Sequence, residues 1–109
     1  MTAHHISLAA GRWQEFSLVV QLGNIGSEVE RALNWEKKGN EERSLRALER
    51  GLELLNLTIA DPKHRRRLKE LTRLREVLLD YFLGDNHYRS TPESWHRYFH
   101  PFGIAANRD

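Results

Sequence analysis

Apolar residues recur every three or four positions along most of this chain, a spacing typical of amphipathic α-helices. The pattern is interrupted at three places: Gly39-Asn40, Asp61-Pro62 and the polar segment 84–91. Each interruption joins residues that end one helix to residues that begin the next. Because the connections are short, neighbouring helices should run antiparallel. The sequence therefore predicts an all-α fold, an up-down bundle of four main helices.

The same signals predict the helix boundaries. The first helix should cover about residues 14–38, the second should begin after the N-cap Asn40, and the third should cover 62–83. The fourth begins after Thr91 and meets Pro101, so it either ends at Phe99 or kinks at the proline and continues to about residue 107. The aromatic and alanine spacing carries through the proline and favours the kinked helix.

Buried stripes follow from the spacing of the large apolar residues. In the second helix the predicted stripe is Leu45, Leu48, Leu52, Leu55 and Ile59, widened by Leu54 and Leu57. In the third helix the predicted core face is Leu68, Leu71, Leu74, Val77 or Leu78, and Tyr81 or Phe82.

Length and composition predict one globular domain. The chain has 109 residues, of which 29% are charged and 39% apolar. No apolar run approaches the roughly 20 residues that cross a bilayer, and no secretion signal is evident at the N-terminus. Since cysteine is absent, neither disulfides nor thiolate metal sites can form, and the cytoplasm is the expected location. Residues 1–12 lack periodicity and are expected to form a flexible arm, with the bundle domain at 13–109.

Gly23 and Gly26 are unusual inside the first predicted helix. Each costs about 1 kcal/mol relative to alanine in a helix interior. One interpretation is close approach of another backbone, from a neighbouring helix or from a second subunit in a homodimer. The alternative is a local kink.

Lysine and arginine are concentrated at the start of the third helix, where the helix dipole disfavours cations. They could form an anion-binding surface for RNA, or a solvated face paired with acidic neighbours. Because this segment and the 84–91 loop lie at opposite ends of the third helix, they are expected to meet only across a dimer. The predicted RNA-binding residues are Lys63, Arg65, Arg66, Arg67, Lys69 and Arg73.

Residues 80–102 are rich in aromatic side chains and hold three of the six histidines. Trp95 and Phe99 are predicted to be core anchors of the fourth helix, next to Tyr81 or Phe82. Arg89 and His96 are separated by six residues near the start of that helix. His96 could act as a general acid or base on a ribose hydroxyl, while Arg89 stabilises charge on the phosphate. The alternative is a role in capping or surface packing.

At Arg89 and His96 the chain resembles HEPN domains, small helical bundles that often dimerise. Their nuclease members carry an arginine followed four to six residues later by a histidine near the start of the last long helix. This resemblance implies a catalytic pair, Arg89 and His96, in a metal-independent endoribonuclease. No cofactor is implied.

Residues 13–107 are also similar to a small prokaryotic family of helical proteins of uncharacterised function. The segments that carry this similarity are QLGNIGSEVERAL, LELLNLTIADPK and LGDNHYRSTPESWHRYF. The similarity implies a HEPN-like accessory or toxin-type module, acting with a minimal nucleotidyltransferase in a toxin–antitoxin arrangement. The alternative is a non-enzymatic interaction module whose aromatic loop docks a partner.

Two metal sites are conceivable. Glu93, His96 and His100 share one helical face, a geometry that can hold a divalent ion. Asp80, Asp85 and Asn86, together with Glu93, offer oxygen ligands for magnesium, although such residues beside a glycine are often turn formers. The adjacent histidines His4 and His5 are read as incidental, and no metal site is predicted overall.

Overall fold

The computed structural model describes residues 11–108, which form a bundle of four α-helices. The helices are α1 (Leu18–Lys37), α2 (Glu41–Ala60), α3 (Leu68–Leu83) and α4 (Pro92–Arg108). Two 3-10 helices, Trp13–Glu15 and Pro62–Arg67, precede α1 and α3. No strand occurs in the described range. The predicted all-α bundle of four main helices is confirmed, whereas the likeness to HEPN domains stays a prediction. The expected arm lies outside the described residues, except for Gly11 and Arg12.

α1 is the central helix and packs against both α2 and α4. Ser44 of α2 donates a hydrogen bond of 2.7 Å to the Ala32 carbonyl of α1. A second contact joins a later residue of α2 to an earlier residue of α1: Arg50 lies 3.3 Å from Glu28. Helices α1 and α2 are therefore antiparallel, as their short connection predicts.

The first helix begins later than predicted. Phe16 has extended backbone angles of φ −78° and ψ 146°, and the Ser17 hydroxyl accepts a 3.3 Å bond from the Val20 N–H. The chain turns there because Trp13 is only 1% exposed and is fixed inside the bundle. Its indole N–H donates to Thr58 Oγ1 at 3.1 Å, and the Gln21 side chain donates to its carbonyl at 2.8 Å.

The third helix is not continuous from Pro62, as the sequence predicted. Asp61 caps the Lys63 N–H at 3.0 Å, but His64 has φ −101° and ψ 17°, outside helical geometry. His64 turns inward, and its Nε2 lies 3.0 Å from Gln21 Oε1. Leu68, the first residue of α3, is 41% exposed rather than in the core, whereas Leu71, Leu74 and Leu78 are buried as predicted.

The buried stripe of α2 is also rotated from the predicted one. Leu48, Leu54 and Leu55 are buried as expected, but Leu45, Leu52, Leu57 and Ile59 are only half-buried. Small and polar residues of α2 are buried as well: Ser44, Ala47, Gly51 and Thr58.

α4 continues through Pro101 to the end of the described range, as the aromatic and alanine spacing favoured. Thr91 and Ser94 cap its start reciprocally, with bonds of 2.9 and 3.0 Å between side chains and backbone N–H groups. Trp95 and Phe99 are buried as predicted, and Tyr81 of α3 contacts Trp95 with ring centroids 6.2 Å apart. None of the helices in residues 11–108 is long and apolar enough to span a membrane.

Candidate functional site

Two glycines bring α1 and α4 into close contact. A Cβ atom at Gly26 would lie 2.8 Å from Phe99 Cδ1, and one at Gly23 would lie 3.0 Å from the Cβ of Ala106. The close approach expected at these glycines is therefore made by a helix of the same chain. Their role at an interface with a second subunit stays a prediction.

An open groove of about 490 Å³ runs along this contact. The α1 side contributes Gly26, Ser27, Glu30 and Arg31, and the α4 side contributes His96, Phe99, His100 and Gly103. We call this surface the α1–α4 groove. Its floor is made of glycines and an aromatic ring, whereas its edges carry ionisable groups.

His96 is held across the groove by a residue that the sequence does not place beside it. Its Nδ1 lies 2.8 Å from Glu30 Oε2. This bond fixes the ring orientation and leaves Nε2 for an occupant of the groove. Arg31 lines the same groove and pairs with Glu28 at 3.2 Å. A carboxylate, an imidazole and a guanidinium thus face one space and can bind a polar partner group.

Arg89 does not line the groove beside His96. It lies in the connecting loop with φ 55°, and its N–H donates to the Asn86 carbonyl at 3.0 Å. Its side chain is exposed and makes no hydrogen bond or ion pair with the residues that the structure describes. The structure therefore does not assemble Arg89 and His96 around a common cavity.

The 84–91 loop is ordered by Asp80 at the end of α3. The two carboxylate oxygens of Asp80 accept bonds of 2.9 Å from the His87 N–H and 3.0 Å from the Tyr88 N–H. The bond from the Tyr88 N–H is the largest cause that lowers the pKa of Asp80, and the bond from the His87 N–H lowers it further. Asn86 bonds Ser90 through both of its amide atoms, at 2.8 and 2.9 Å. These oxygen-bearing side chains act as turn formers.

The loop also folds back along α3. The Tyr88 hydroxyl bonds Glu76, which raises the pKa of that tyrosine. The guanidinium of Arg73 lies over the Tyr88 ring, 4.8 Å from its centroid. Arg73, near the end of the cationic segment, therefore meets the loop within one chain, whereas contact of the helix start with the loop across a dimer stays a prediction.

The six predicted RNA-binding cations divide into two groups. Lys63 holds the N-terminal segment, because its ammonium donates to the carbonyls of Gln14 and, at 3.0 Å, Phe16. Arg67 pairs with Glu70 at 2.7 Å, and Arg73 is stacked on Tyr88. Three exposed cations have no partner among the described residues: Arg65, Arg66 and Lys69.

No three His, Asp or Glu side chains within residues 11–108 converge to hold a metal ion. The possible ligand set of Glu93, His96 and His100 is therefore not formed, since His96 turns to Glu30. The pair His4 and His5 lies outside the described residues.

No protein-family model, curated protein or solved structure gives a significant match to this chain. The geometry alone therefore defines the site. Glu30 and Arg31 are the residues that sequence reasoning missed. They belong to a helix more than sixty residues before His96, and no local pattern indicates which turns of α1 and α4 are adjacent.

Proposed function

We propose that this protein is a HEPN-like accessory module that acts beside a minimal nucleotidyltransferase by binding it, in a toxin-type pair. The class of partner comes from the resemblance of the sequence to nucleotidyltransferase-associated helical proteins. The α1–α4 groove is the proposed contact surface. This module binds, and any chemistry belongs to the partner.

One observation carries this proposal: His96 shares its groove with Glu30 and Arg31, while Arg89 does not line that groove. An endoribonuclease site of the expected kind needs the arginine and the histidine around one phosphate. A protein-binding groove needs an apolar floor with a few placed polar groups at its edge. Phe99 and the glycines supply the floor, and the Glu30–His96 pair supplies the edge.

The aromatic stretch of residues 80–102 is a poorer docking surface than the sequence predicts. Trp95 and Phe99 are buried, and Tyr81, Phe82, Tyr98 and Phe102 pack against the core. Of the aromatic residues in this stretch, only Tyr88 is exposed. The groove, rather than the loop, therefore offers the surface for a partner.

Gly103 provides a direct test, because a Cβ at this position would meet no atom within 4 Å. Gly103→Gln should fill the groove without disturbing the bundle. We expect it to weaken binding of a minimal nucleotidyltransferase by at least about tenfold in titration calorimetry. Gly103→Ala is the matched control, which makes the same backbone change but leaves the groove open. Equal affinities for the two variants would contradict the proposal.

RNA binding is a second candidate function, favoured by the three exposed cations without partners. Replacing Arg65, Arg66 and Lys69 by Gln should weaken binding of a single-stranded RNA and reduce the slope of log affinity against log salt by about 2. The same change at Lys37, Lys38 and Arg46, three exposed cations elsewhere, is the control and should leave the slope unchanged. His96→Ala should spare binding. If the wild type cleaves RNA and His96→Ala does not, a nuclease is favoured over an accessory module.

A further inference from the structure

A small pocket between the end of α1 and the first half of α2 is lined by cations and one aromatic ring. Its lining consists of Trp35 from α1 and three arginines from α2: Arg43, Arg46 and Arg50. Spacings of three and four residues place the arginines on one face of their helix. The space has a volume of about 240 Å³, which is smaller than the clefts that hold drug-sized ligands. We call it the Trp35 pocket.

Trp35 holds two cations without neutralising them. The Arg43 guanidinium lies 4.7 Å from the centroid of its ring, and the Lys38 ammonium lies 5.1 Å from it. An aromatic face attracts a cation through its quadrupole but carries no net charge. Neither Arg43 nor Lys38 pairs with a carboxylate in the described part of the chain. Both therefore keep a full positive charge beside the pocket.

The other two arginines of the pocket are oriented by carboxylates. The Nε of Arg50 donates to Glu28 Oε1 at 3.3 Å, and this bond uses one of the five guanidinium donors. The same oxygen lies 3.2 Å from Arg31, so one carboxylate is shared by two guanidinium groups. Arg46 lies 3.3 Å from Glu42 in a solvent-exposed pair, which screens little charge. Together with the two unpaired cations, these arginines give the pocket a positive potential.

Helix stability does not favour this arrangement. Arg43 lies in the first turn of α2, where the helix dipole disfavours a cation. Arg46 and Arg50 follow it at spacings that bring like charges together on the helix surface, and such pairs repel each other. An anion in the pocket would remove both costs.

We propose that the Trp35 pocket binds a dianionic phosphate group, which is either inorganic phosphate or the terminal phosphate of a small molecule. A phosphate monoester carries close to two negative charges at neutral pH and has three acceptor oxygens. Guanidinium forks bind such oxygens in pairs, and three forks converge from one helix face. A carboxylate offers one charge and two oxygens, and a phosphodiester within RNA also carries one charge, so both fit the pocket less well.

The Trp35 pocket is separate from the surfaces discussed above. It shares no lining residue with the α1–α4 groove. It also does not include the three exposed cations that favour RNA binding. The inference therefore goes beyond the proposed function and does not rest on it.

A titration with inorganic phosphate at constant ionic strength, followed by NMR, tests this site. The indole N–H signal of Trp35, assigned with Trp35→Phe, and the amide signals of residues 43–50 should shift and saturate. Acetate should give no saturable shift. A parallel titration with glycerol 1-phosphate distinguishes the two sources, because the natural form should bind more tightly. Absence of a saturable shift with both phosphates would overturn the proposal.

Variants of Arg43 test the contact itself. Arg43→Gln should raise the dissociation constant for phosphate at least about tenfold, because it removes a charge-assisted fork that no carboxylate occupies. Arg66→Gln is the matched control, since it removes an exposed arginine without a partner elsewhere, and should leave the constant unchanged. Arg43→Lys keeps the charge but loses the fork, so it should still weaken binding. Equal weakening by Arg43→Gln and Arg66→Gln would mean that phosphate responds only to net charge, which would contradict a built site.

Discussion

His64 is a buried imidazole that links the segment before α3 to α1. Its Nε2 lies 3.0 Å from Gln21 Oε1, and Gln21 in turn bonds the carbonyl of Trp13. Burial lowers the pKa of His64 below its ordinary 6.5; Asp61 opposes this effect, and Lys63 and Arg67 add to it. The neutral ring is therefore the form that the folded bundle favours.

This shift predicts a pH dependence of stability. As pH falls below about 6.5, the unfolded chain takes up a proton at His64 before the folded chain does, so the free energy of unfolding decreases. That loss should stop below the lowered folded pKa. Thermal unfolding between about pH 7.5 and 5 should show a weaker pH dependence in His64→Gln than in the wild type. Identical slopes would mean that burial does not affect this histidine.

Gly26 is the position where α1 and α4 come closest. The Cβ of an alanine there would lie within 2.8 to 2.9 Å of three Phe99 atoms. Gly26→Ala should therefore lower the free energy of unfolding by about 1–3 kcal/mol, despite the better helix propensity of alanine.

Gly103→Ala is the control for Gly26→Ala, since it adds the same methyl group to a helix where nothing lies within 4 Å. It should raise stability by up to about 1 kcal/mol in urea unfolding. If both variants change stability equally, the contact at Gly26 is not tight.

At the scale of elements, Trp95 joins α4 to α3. It is 4% exposed and contacts both Tyr81 and Phe99. Trp95→Ala should cost about 3–5 kcal/mol in equilibrium unfolding. Its indole N–H has no acceptor among the described residues, so Trp95→Phe should cost much less. Similar losses for the two variants would contradict the expectation that a phenyl ring replaces most of the indole packing.

Helix boundaries that depend on local signals could be predicted from the sequence. Asn40 caps α2 through a 3.0 Å bond from the Arg43 N–H, and the reciprocal bonds of Thr91 and Ser94 begin α4. The two breaks that the sequence missed depend on distant partners. Phe16 and Lys63 are 47 positions apart, and Gln21 and His64 are 43 positions apart. A periodic pattern carries no information about such contacts.

For the candidate site, too, the sequence predicts what depends on local signals and misses what depends on distant partners. The chemistry of His96 indicates a functional residue, but the sequence predicts Arg89, which is near in sequence, as its partner. The observed partner is Glu30, because the alignment of α1 with α4 is set by packing at Gly26 and Phe99.

At the scale of the whole molecule, the α1–α4 groove is the proposed surface for a different protein. The central claim is that the groove binds a nucleotidyltransferase. Amide hydrogen exchange, measured with and without a purified minimal nucleotidyltransferase, tests it most directly. The account predicts slower exchange in residues 20–31 and 96–106 and no change in the 84–91 loop. Protection confined to that loop, or no protection in either helix, would contradict it.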